Sequence, residues 1–318
     1  MDKNTRKVDI IIPVYKPDEK FKNLMYRLER QNVEPNHIYI IHTMPDEGEE
    51  QWVEELFEKL DKKESISVKN ITKSEFNHGG TRNMGADMAE ADFVMMMTQD
   101  AVPADTRLLE KLLEPFDEEK VAVAYARQLA TRQCGVIESY TREFNYPPES
   151  FVKSKKDMER LGIKTYFCSD VCAIYRKSTF RELGGFVTET IFNEDMIFAS
   201  KVIKAGYSIA YAADAKVYHA HKYTYGQQFH RNFDLGVSQR QYHEIFDEVK
   251  SESEGIKLVK KTMGYLLKEG HPFYIPDLIL QSGFKFLGFQ LGKRYDKLPL
   301  WLVKHFSMQK SYWEKGKE

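Results

Sequence analysis

The sequence has few cysteines, no excess of charge of one sign and no long apolar run. Its three cysteines are too few, and odd in number, for a disulfide framework, and the Cys168/Cys172 pair lacks a second pair for structural zinc. With 47 Lys and Arg against 48 Asp and Glu, the net charge is −1. This balance argues against a nucleic-acid binder that depends on phosphate contacts. No stretch approaches the roughly 18 apolar residues of a membrane-spanning helix.

The N-terminal sequence also lacks the apolar stretch, followed by small residues, that marks a secretory signal. Together with the small, odd number of cysteines, this predicts a protein of a reducing compartment, the cytoplasm. The 318 residues are 42% hydrophobic and 13% aromatic, which is enough for one large domain or two smaller ones.

Strand and helix patterns alternate through the first hundred residues. Four short β-branched or apolar runs predict strands at 8–15, 37–41, 66–71 and 92–98. Apolar residues at helical spacing predict helices at 17–31, 48–60 and 79–91. This alternation predicts an α/β fold whose sheet is mostly parallel and has helices on both faces.

Asp100 directly follows the fourth predicted strand, MMMTQDA. Ligands of such sheets bind beyond the carboxyl ends of the strands. A carboxylate at that place can hold a divalent cation, and the cation can clamp a diphosphate. The alternative is an ordinary turn or helix-capping acid, which the position alone favours.

A glycine-rich segment, FNHGGTRNMG at 76–85, opens the third predicted helix. Gly79 would let the backbone approach a ligand closely, and Arg82 could pair with a phosphate or a carboxylate. A glycine-rich helix start with a surface arginine is the alternative. A Walker loop is excluded, because its lysine and hydroxyl residue are missing.

Two polar pairs stand out in the second half of the chain. Glu194 and Asp195 begin a predicted helix, where the helix dipole favours anions, so one of them could act as a general base. His219 and His221 are two residues apart, so on a strand they would face one side and could bind a metal of the manganese type. First-turn helix acids, and one buried plus one surface histidine, are the alternatives.

The order of these features along the chain resembles glycosyltransferase family 2, which has the GT-A nucleotide-sugar fold. The matching segments are 9–31, 79–101 and 175–221, and the resemblance covers about residues 7–235. The segments FNHGGTRN, TQDA, HAHKYTYGQQFHRNFDLG and FSMQKSYW are most similar to the family's rhamnosyltransferase branch. The resemblance implies a GT-A catalytic domain at 1–235 with a mostly parallel central sheet, and a helical C-terminal region at 236–318.

The resemblance also implies roles for matching residues. Asp100 matches the last acid of the family's Asp-x-Asp motif, which binds Mg²⁺ or Mn²⁺ at the phosphates of the sugar nucleotide. Asp195 matches the catalytic base, and Glu194 would orient the base or an acceptor hydroxyl. His219 or His221 matches a histidine that helps to hold the metal and the diphosphate. The implied nucleotide-sugar-binding residues are Pro13, Tyr15, Gly79, Arg82, Gln99 and Asp100.

Two departures from the family pattern bear on activity. Thr98 stands where the first Asp of Asp-x-Asp is usual, so the metal has one strand carboxylate. Asp46 lies a few residues after the usual position of the acid that reads the nucleobase. Because of these two departures, the alternative remains that the chain is a catalytically inactive binding or regulatory protein with the GT-A fold.

The enzyme implied by the resemblance is an inverting, metal-dependent glycosyltransferase of the hexosyltransferase type. Its donor would be dTDP-rhamnose or a UDP-sugar. Its acceptor would be a hydroxyl of a saccharide or a lipid-linked acceptor in cell-surface polysaccharide synthesis.

The C-terminal tail is basic and rich in aromatic residues and leucines. Between Gly255 and Glu318 there are 12 Lys and Arg against 5 Asp and Glu. Such a segment can lie on an anionic membrane, here the inner face of the plasma membrane, where a lipid-linked acceptor would be found. It can equally be a helical subdomain that packs on the catalytic core or on a second subunit in a homodimer.

Overall fold

The chain folds as two compact units. The computed structural model describes residues 6–44, 60–61, 63–131, 133–248 and 252–314. The first unit comprises Met1–Thr131, Tyr146–Thr188 and Glu194–His219, and the second comprises Arg132–Asn145, Glu189–Asn193 and Ala220–Glu318.

The first unit contains one nine-stranded sheet. Its strands are β1 Val8–Val14, β2 His37–Thr43, β3 Ile66–Ile71, β4 Phe93–Met97, β5 Val102–Pro103, β6 Val121–Leu129, β7 Phe151–Lys153, β8 Cys172–Arg176 and β9 Ser208–Tyr218. The strand order is β3-β2-β1-β4-β8-β6-β9-β5, and β7 also pairs with β9. Strands β1 to β4 are parallel to one another, as are β6 and β9, whereas β8 runs antiparallel to β4 and β6, and β5 and β7 run antiparallel to β9. The three longest pairings, β6–β9, β1–β2 and β2–β3, are parallel, which confirms the predicted mostly parallel α/β sheet.

Helices flank this sheet and make up most of the second unit. They are α1 Glu19–Leu28, α2 His78–Met88, α3 Leu108–Leu113, α4 Val136–Asn145, α5 Met158–Leu161, α6 Lys177–Glu182, α7 Glu194–Lys204, α8 Tyr225–Gln241, α9 His243–Phe246, α10 Glu252–Lys268, α11 Ile275–Gly292 and α12 Leu300–Phe306. Short 3-10 turns occur at Lys63–Ser65, Glu114–Asp117, Lys155–Asp157, Gly162–Thr165, Pro272–Tyr274, Tyr295–Lys297 and Lys310–Glu314.

The four strands predicted in the first hundred residues are found as β1 to β4, and two of the predicted helices as α1 and α2. The helix predicted at 48–60 lies outside the described residues except for its last residue, and Asp46 lies outside them as well. The tail is helical, as predicted. The predicted domain boundary between residues 235 and 236 falls inside α8, which belongs entirely to the second unit; the two-domain assignment stays a prediction.

The apolar runs place β1 and β4 at the centre of the sheet. All five residues of β4 are buried, because helices cover both faces of the strand. Helix α1 buries Phe21, Leu24, Met25 and Leu28 in the same core. Its start is set by Asp18, whose carboxylate accepts hydrogen bonds from the first free backbone amides of the helix.

In the second unit, α8 and α11 approach each other through glycines. A Cβ atom at Gly288 would lie 2.3 Å from the carbonyl oxygen of Phe229, and one at Gly292 would lie 2.1 Å from that of Phe233. On α8, a Cβ atom at Gly236 would lie 2.4 Å from a carbonyl oxygen of α11. Backbone meets backbone at these points, so a side chain cannot move aside to make room. Among the described residues, no helix has both the length and the apolar character needed to cross a membrane.

The glycine packing makes a matched pair of substitutions informative. Gly288→Ala should lower the free energy of unfolding of the second unit by about 1–3 kcal/mol, since the new methyl group overpacks against backbone. Gly283→Ala, on the same helix, should raise it by about 0.5–1 kcal/mol, because its Cβ meets nothing within 4 Å and alanine favours helix. Urea unfolding followed by circular dichroism measures both. Equal effects of the two substitutions would contradict the close approach of α8 and α11.

Candidate active site

Pairing between β5 and β9 brings Asp100 beside His219. Val102 of β5 pairs with Tyr218 of β9, so the turn before β5 and the residue after β9 share one edge of the sheet. Nε2 of His219 lies 3.5 Å from Oδ1 of Asp100. Both side chains are largely buried, that of His219 at 8% exposure and that of Asp100 at 16%.

A chain of hydrogen bonds orients the histidine ring. Nδ1 of His219 lies 3.0 Å from Oε1 of Gln128, and Nε2 of Gln128 donates to Oγ of Ser169 at 3.0 Å. Because the amide nitrogen is directed at Ser169, the amide oxygen faces the ring, so Nδ1 carries a hydrogen. The other ring nitrogen, Nε2, is thereby directed at Asp100. A metal-ligating histidine commonly has its second nitrogen held in this way.

These donor atoms could hold a divalent cation. A carboxylate oxygen and an imidazole nitrogen 3.5 Å apart can both reach one ion at bond lengths of about 2.1 Å. The oxygen suits Mg²⁺ and Mn²⁺ alike, and the nitrogen makes Mn²⁺ the better match. His221 belongs to the second unit. It follows His219 by two residues, so the chain keeps it within about 7 Å, and its role as a ligand stays a prediction.

The register between β4 and β8 brings another acid to the same edge. Met97 pairs with Cys172, so Asp170, two residues before β8, lies beside the residues that follow β4. Asp170 is buried, with 4% of its surface exposed. It directly follows Ser169, which places it next to the hydrogen-bonded chain of the histidine.

Arg82, on α2, pairs with two carboxyl groups at this edge, and a third carboxyl group lies beside them. Its Nε lies 3.4 Å from Oδ2 of Asp170, and its Nη1 lies 3.2 Å from Oε1 of Glu194. The same Nη1 donates to the carbonyl oxygen of His78 at 2.9 Å. Asp195 joins through its Oδ2, which accepts from the backbone N–H of Asp170 at 3.3 Å. The structure therefore brings Arg82, Glu194 and Asp195 together, and adds Asp170. We call these four residues the acid cluster.

The backbone conformation at the start of α7 determines where its two acids, Glu194 and Asp195, lie. Asn193 has φ of 66°, a left-handed conformation that asparagine tolerates, so the chain turns sharply into α7. Glu194 and Asp195 then occupy the first turn, where the helix dipole favours anions. Oδ1 of Asp195 accepts from the N–H of Met196 at 2.7 Å, which orients the carboxyl group.

Carboxyl groups outnumber cations in the acid cluster. Burial raises the pKa of Asp195 well above its usual value, and the neighbouring Asp170 and Glu194 raise it further. Burial also raises the pKa of Asp170 to about 7, and the opposing effect of Arg82 does not cancel this. Burial lowers the pKa of Arg82, but the surrounding carboxylates outweigh it and the net pKa is raised. Raised carboxyl pKa values in a crevice are typical of groups that accept protons in catalysis.

The ends of β1 and β4 are joined by Gln99. Its Oε1 accepts from the N–H of Tyr15 at 2.7 Å, and its Nε2 donates to the carbonyl oxygen of Tyr15 at 3.0 Å. The Tyr15 ring is 42% exposed. The ammonium groups of Lys16 and Lys73 lie 5.8 and 5.9 Å from its centroid. An exposed aromatic ring with two cations near it suits a planar base that carries phosphates.

Contacts within the protein explain why a proline occurs at position 13 and a glycine at position 79. Pro13 pairs with Ile41 of β2, whereas the pairing with β4 ends at Ile11, so Pro13 lies where β1 has a neighbour on one side only. A Cβ atom at Gly79 would lie 2.1 Å from the carbonyl oxygen of Val187. Only glycine fits there. The roles of both residues in donor binding stay predictions.

Asp170 and Gln128 are the residues of this edge that the sequence did not single out. Each lies at the end of a buried strand and has no motif of its own. Asp170 is placed by the antiparallel register of β8 with β4, and Gln128 by the parallel register of β6 with β9; both follow from the pairing and not from the local sequence.

The sequence profile of glycosyl transferase family 2 matches residues 9–184, more than half of the 318-residue chain. The chain belongs to glycosyl transferase family 2. It is therefore a glycosyltransferase, as predicted. O-antigen chain rhamnosyltransferase RfbN of Salmonella typhimurium is 39% identical to it over 96% of both chains. O-antigen chain rhamnosyltransferase WbaN of Salmonella anatum is 45% identical over 76% of this chain and 78% of its own.

Solved structures with a similar fold confirm the predicted GT-A architecture. The mannosyltransferase PcManGT from Pyrobaculum calidifontis, in complex with GDP-Man and Mn²⁺, has a TM-score of 0.56 at 13% identity, over 98% of this chain and 86% of its own. Residues 1–349 of S. aureus TarS have a TM-score of 0.53 at 18% identity, over 92% of this chain and 91% of that fragment. At these identities the likeness concerns the fold.

Replacing Asp170 should change the pH dependence of glycosyl transfer. A base must be ionised to act, so its pKa sets the pH at which the rate rises. Asp170→Asn removes a carboxyl group that raises the pKa of Asp195, so the rise should move to lower pH. The measurement is kcat against pH. Asp214→Asn, the same change at an exposed position of β9, is the control and should leave the profile in place. A rise that stays in place or moves to higher pH in Asp170→Asn would contradict this coupling.

Proposed function

We propose that this protein is an inverting rhamnosyltransferase of O-antigen-type polysaccharide synthesis. It moves a rhamnosyl group from dTDP-rhamnose to a hydroxyl of a saccharide or lipid-linked acceptor. The observation that carries this proposal is the 39% identity with an O-antigen chain rhamnosyltransferase over 96% of both chains. The relative that is 45% identical bears the same activity in its name. A UDP-sugar is the alternative donor that the experiments below include.

The donor would bind along the carboxyl ends of β1 and β4. The exposed Tyr15 ring offers a stacking surface for the nucleobase, and Lys16 and Lys73 beside it favour the negative diphosphate. Gln99 fixes the position of Tyr15, because its side-chain amide hydrogen-bonds to both the backbone N–H and the carbonyl oxygen of Tyr15.

Asp100 and His219, with His221 as a third ligand, would hold Mg²⁺ or Mn²⁺ at the same edge. A bound cation supplies Lewis-acid stabilisation of the negative charge that develops on the leaving nucleoside diphosphate. Gln128 contributes by keeping a hydrogen on Nδ1 of His219, so that Nε2 is directed at Asp100. Thr98 contributes no carboxylate, which leaves the protein with one acid at this site.

Asp195 is the proposed general base. Its carboxylate takes the proton of the acceptor hydroxyl while that oxygen bonds to the anomeric carbon. The bond from the anomeric carbon to the phosphate oxygen breaks on the opposite face, and its electron pair leaves with the nucleoside diphosphate, so the configuration inverts. Burial and the neighbouring acids raise the pKa of Asp195, which makes its carboxylate a stronger base than an ordinary aspartate. Glu194 and Arg82 hold the cluster around it.

Asp195→Asn should abolish transfer and spare donor binding. The loss in kcat should be about 10²–10⁴-fold, the usual contribution of a general base. Purified protein is assayed with dTDP-rhamnose or UDP-sugars and a saccharide acceptor, and donor affinity is measured by calorimetry. Asp214→Asn is the control, since it makes the same change at an exposed position. Near-normal turnover in Asp195→Asn would remove the base assignment. Transfer by the unaltered protein from a UDP-sugar but not from dTDP-rhamnose would refute the donor.

Asp100→Ala should remove the metal dependence of donor binding. Calorimetry with and without Mn²⁺ should show tighter donor binding with the ion in the unaltered protein, and equal, weak binding under both conditions in the variant. His219→Ala should behave in the same way, because the two side chains face one another. Mn²⁺ that still tightens donor binding in both variants would place the metal elsewhere.

A further inference from the structure

Helix α11 of the second unit carries a row of exposed apolar side chains. Phe273, just before the helix, is 91% exposed, and four large side chains within the helix are 49–65% exposed. These four are Ile279, Leu280, Phe286 and Leu287. We call them, with Phe273, the apolar face of α11.

The four helical residues lie on one side of α11. Ile279 and Phe286 are seven residues apart, as are Leu280 and Leu287, and seven residues are close to two turns. Gly283 lies between the two pairs, and a Cβ atom built there meets nothing within 4 Å. The outer side of the helix is therefore apolar along its middle part.

The opposite side of α11 is already packed. Gly288 and Gly292 contact the backbone of α8 at Phe229 and Phe233. Gly292 is nine residues from Gly283, which is half a turn beyond two full turns and points the other way. Leu278 is buried as well, but the glycines take up much of the side that faces α8, whereas Ile279, Leu280, Phe286 and Leu287 face away from it.

Helix α10 repeats this feature on a smaller scale. Ile256 and Leu267 are 61% and 58% exposed. They are eleven residues apart, about three turns, and the exposed Lys260 lies between them on the same side. On α12, Trp301 is 69% exposed. Exposed apolar surface on this scale, flanked by charged residues, usually marks a binding surface.

The charge of the segment indicates what covers this surface. Between Gly255 and Glu318, 12 Lys and Arg stand against 5 Asp and Glu. Exposed lysines on α10 are Lys257, Lys260, Lys261 and Lys268. In a symmetric dimer the same patch contacts itself, so the positive charges of the two copies would repel one another. Anionic lipid headgroups attract it instead, and exposed Trp is typical of the level of the headgroups.

We infer that the apolar face of α11 inserts into the interfacial region of an anionic phospholipid bilayer. The helix has 18 residues and no described helix is suited to crossing a membrane. It therefore lies along the membrane plane, with the lysines at the headgroups. The inference depends on this surface alone and holds whichever sugar is transferred; joined to the proposed function, it brings the enzyme to the surface where a lipid-linked acceptor is found.

Vesicle flotation of the full chain tests the inference. The protein should float with vesicles of phosphatidylglycerol and phosphatidylcholine in equal parts, and not with phosphatidylcholine alone. Phe286→Ser with Leu287→Ser should lower the partition coefficient about tenfold or more, since two large apolar side chains are lost. Lys260→Gln with Lys268→Gln should lower it by about fivefold for each lysine removed. Val68→Ser, at an exposed apolar position of β3, is the matched control and should float like the unaltered protein.

Circular dichroism and calorimetric donor binding show that each variant is folded. A Phe286→Ser/Leu287→Ser variant that floats as well as the unaltered protein would overturn the inference. A second result would also overturn it: the unaltered protein binds neither kind of vesicle and sediments as a dimer, and the Phe286→Ser/Leu287→Ser variant sediments as a monomer. The apolar face of α11 would then join two copies of the chain. Normal flotation without any sugar transfer would count against the proposed function alone.

Discussion

The candidate site depends on the guanidinium of Arg82. Its Nε and Nη1 reach Asp170, at the start of β8, and Glu194, at the start of α7, and so connect three separate segments of the first unit. Removing one partner of a buried ion pair commonly costs about 3–5 kcal/mol, because the remaining charge is left buried. Without Arg82, the carboxyl groups would repel one another and would either separate or bind protons. The carboxyl group of Asp195, the proposed base, is stabilised in this cluster by the positive charge of Arg82.

A second set of contacts adjoins the first through consecutive residues. Ser169 accepts the hydrogen bond of Gln128, which holds His219, and Asp170 belongs to the acid cluster. The side chains that would bind the cation and the carboxyl group that would accept the proton are therefore on one edge of one sheet. A transferase needs this adjacency, since the bond that breaks and the bond that forms share a single carbon atom.

The local sequence pattern was sufficient to predict some residues of this site but not others. Asp100, Glu194 and Asp195 could be predicted because each follows a strand or begins a helix at a place where such acids have known uses. Asp170 could not, because its position beside β4 follows from an antiparallel register that joins residues 97 and 172. Gly79 shows the opposite case: glycine was expected to admit a ligand, and in the structure it admits the carbonyl of Val187.

The family, the first four strands and the identity of the acids could be inferred from the sequence alone, because apolar periodicity and short motifs are properties of neighbouring residues. The tertiary structure decided which side of α11 faces outward. Both sides of that helix are uncharged for most of their length: one carries Leu278 and two glycines and the other carries large apolar residues, so its composition suits either a buried or an exposed position. Only the carbonyl groups of α8, which leave no room for a Cβ atom at Gly288 or Gly292, turn the glycines inward and the large side chains outward.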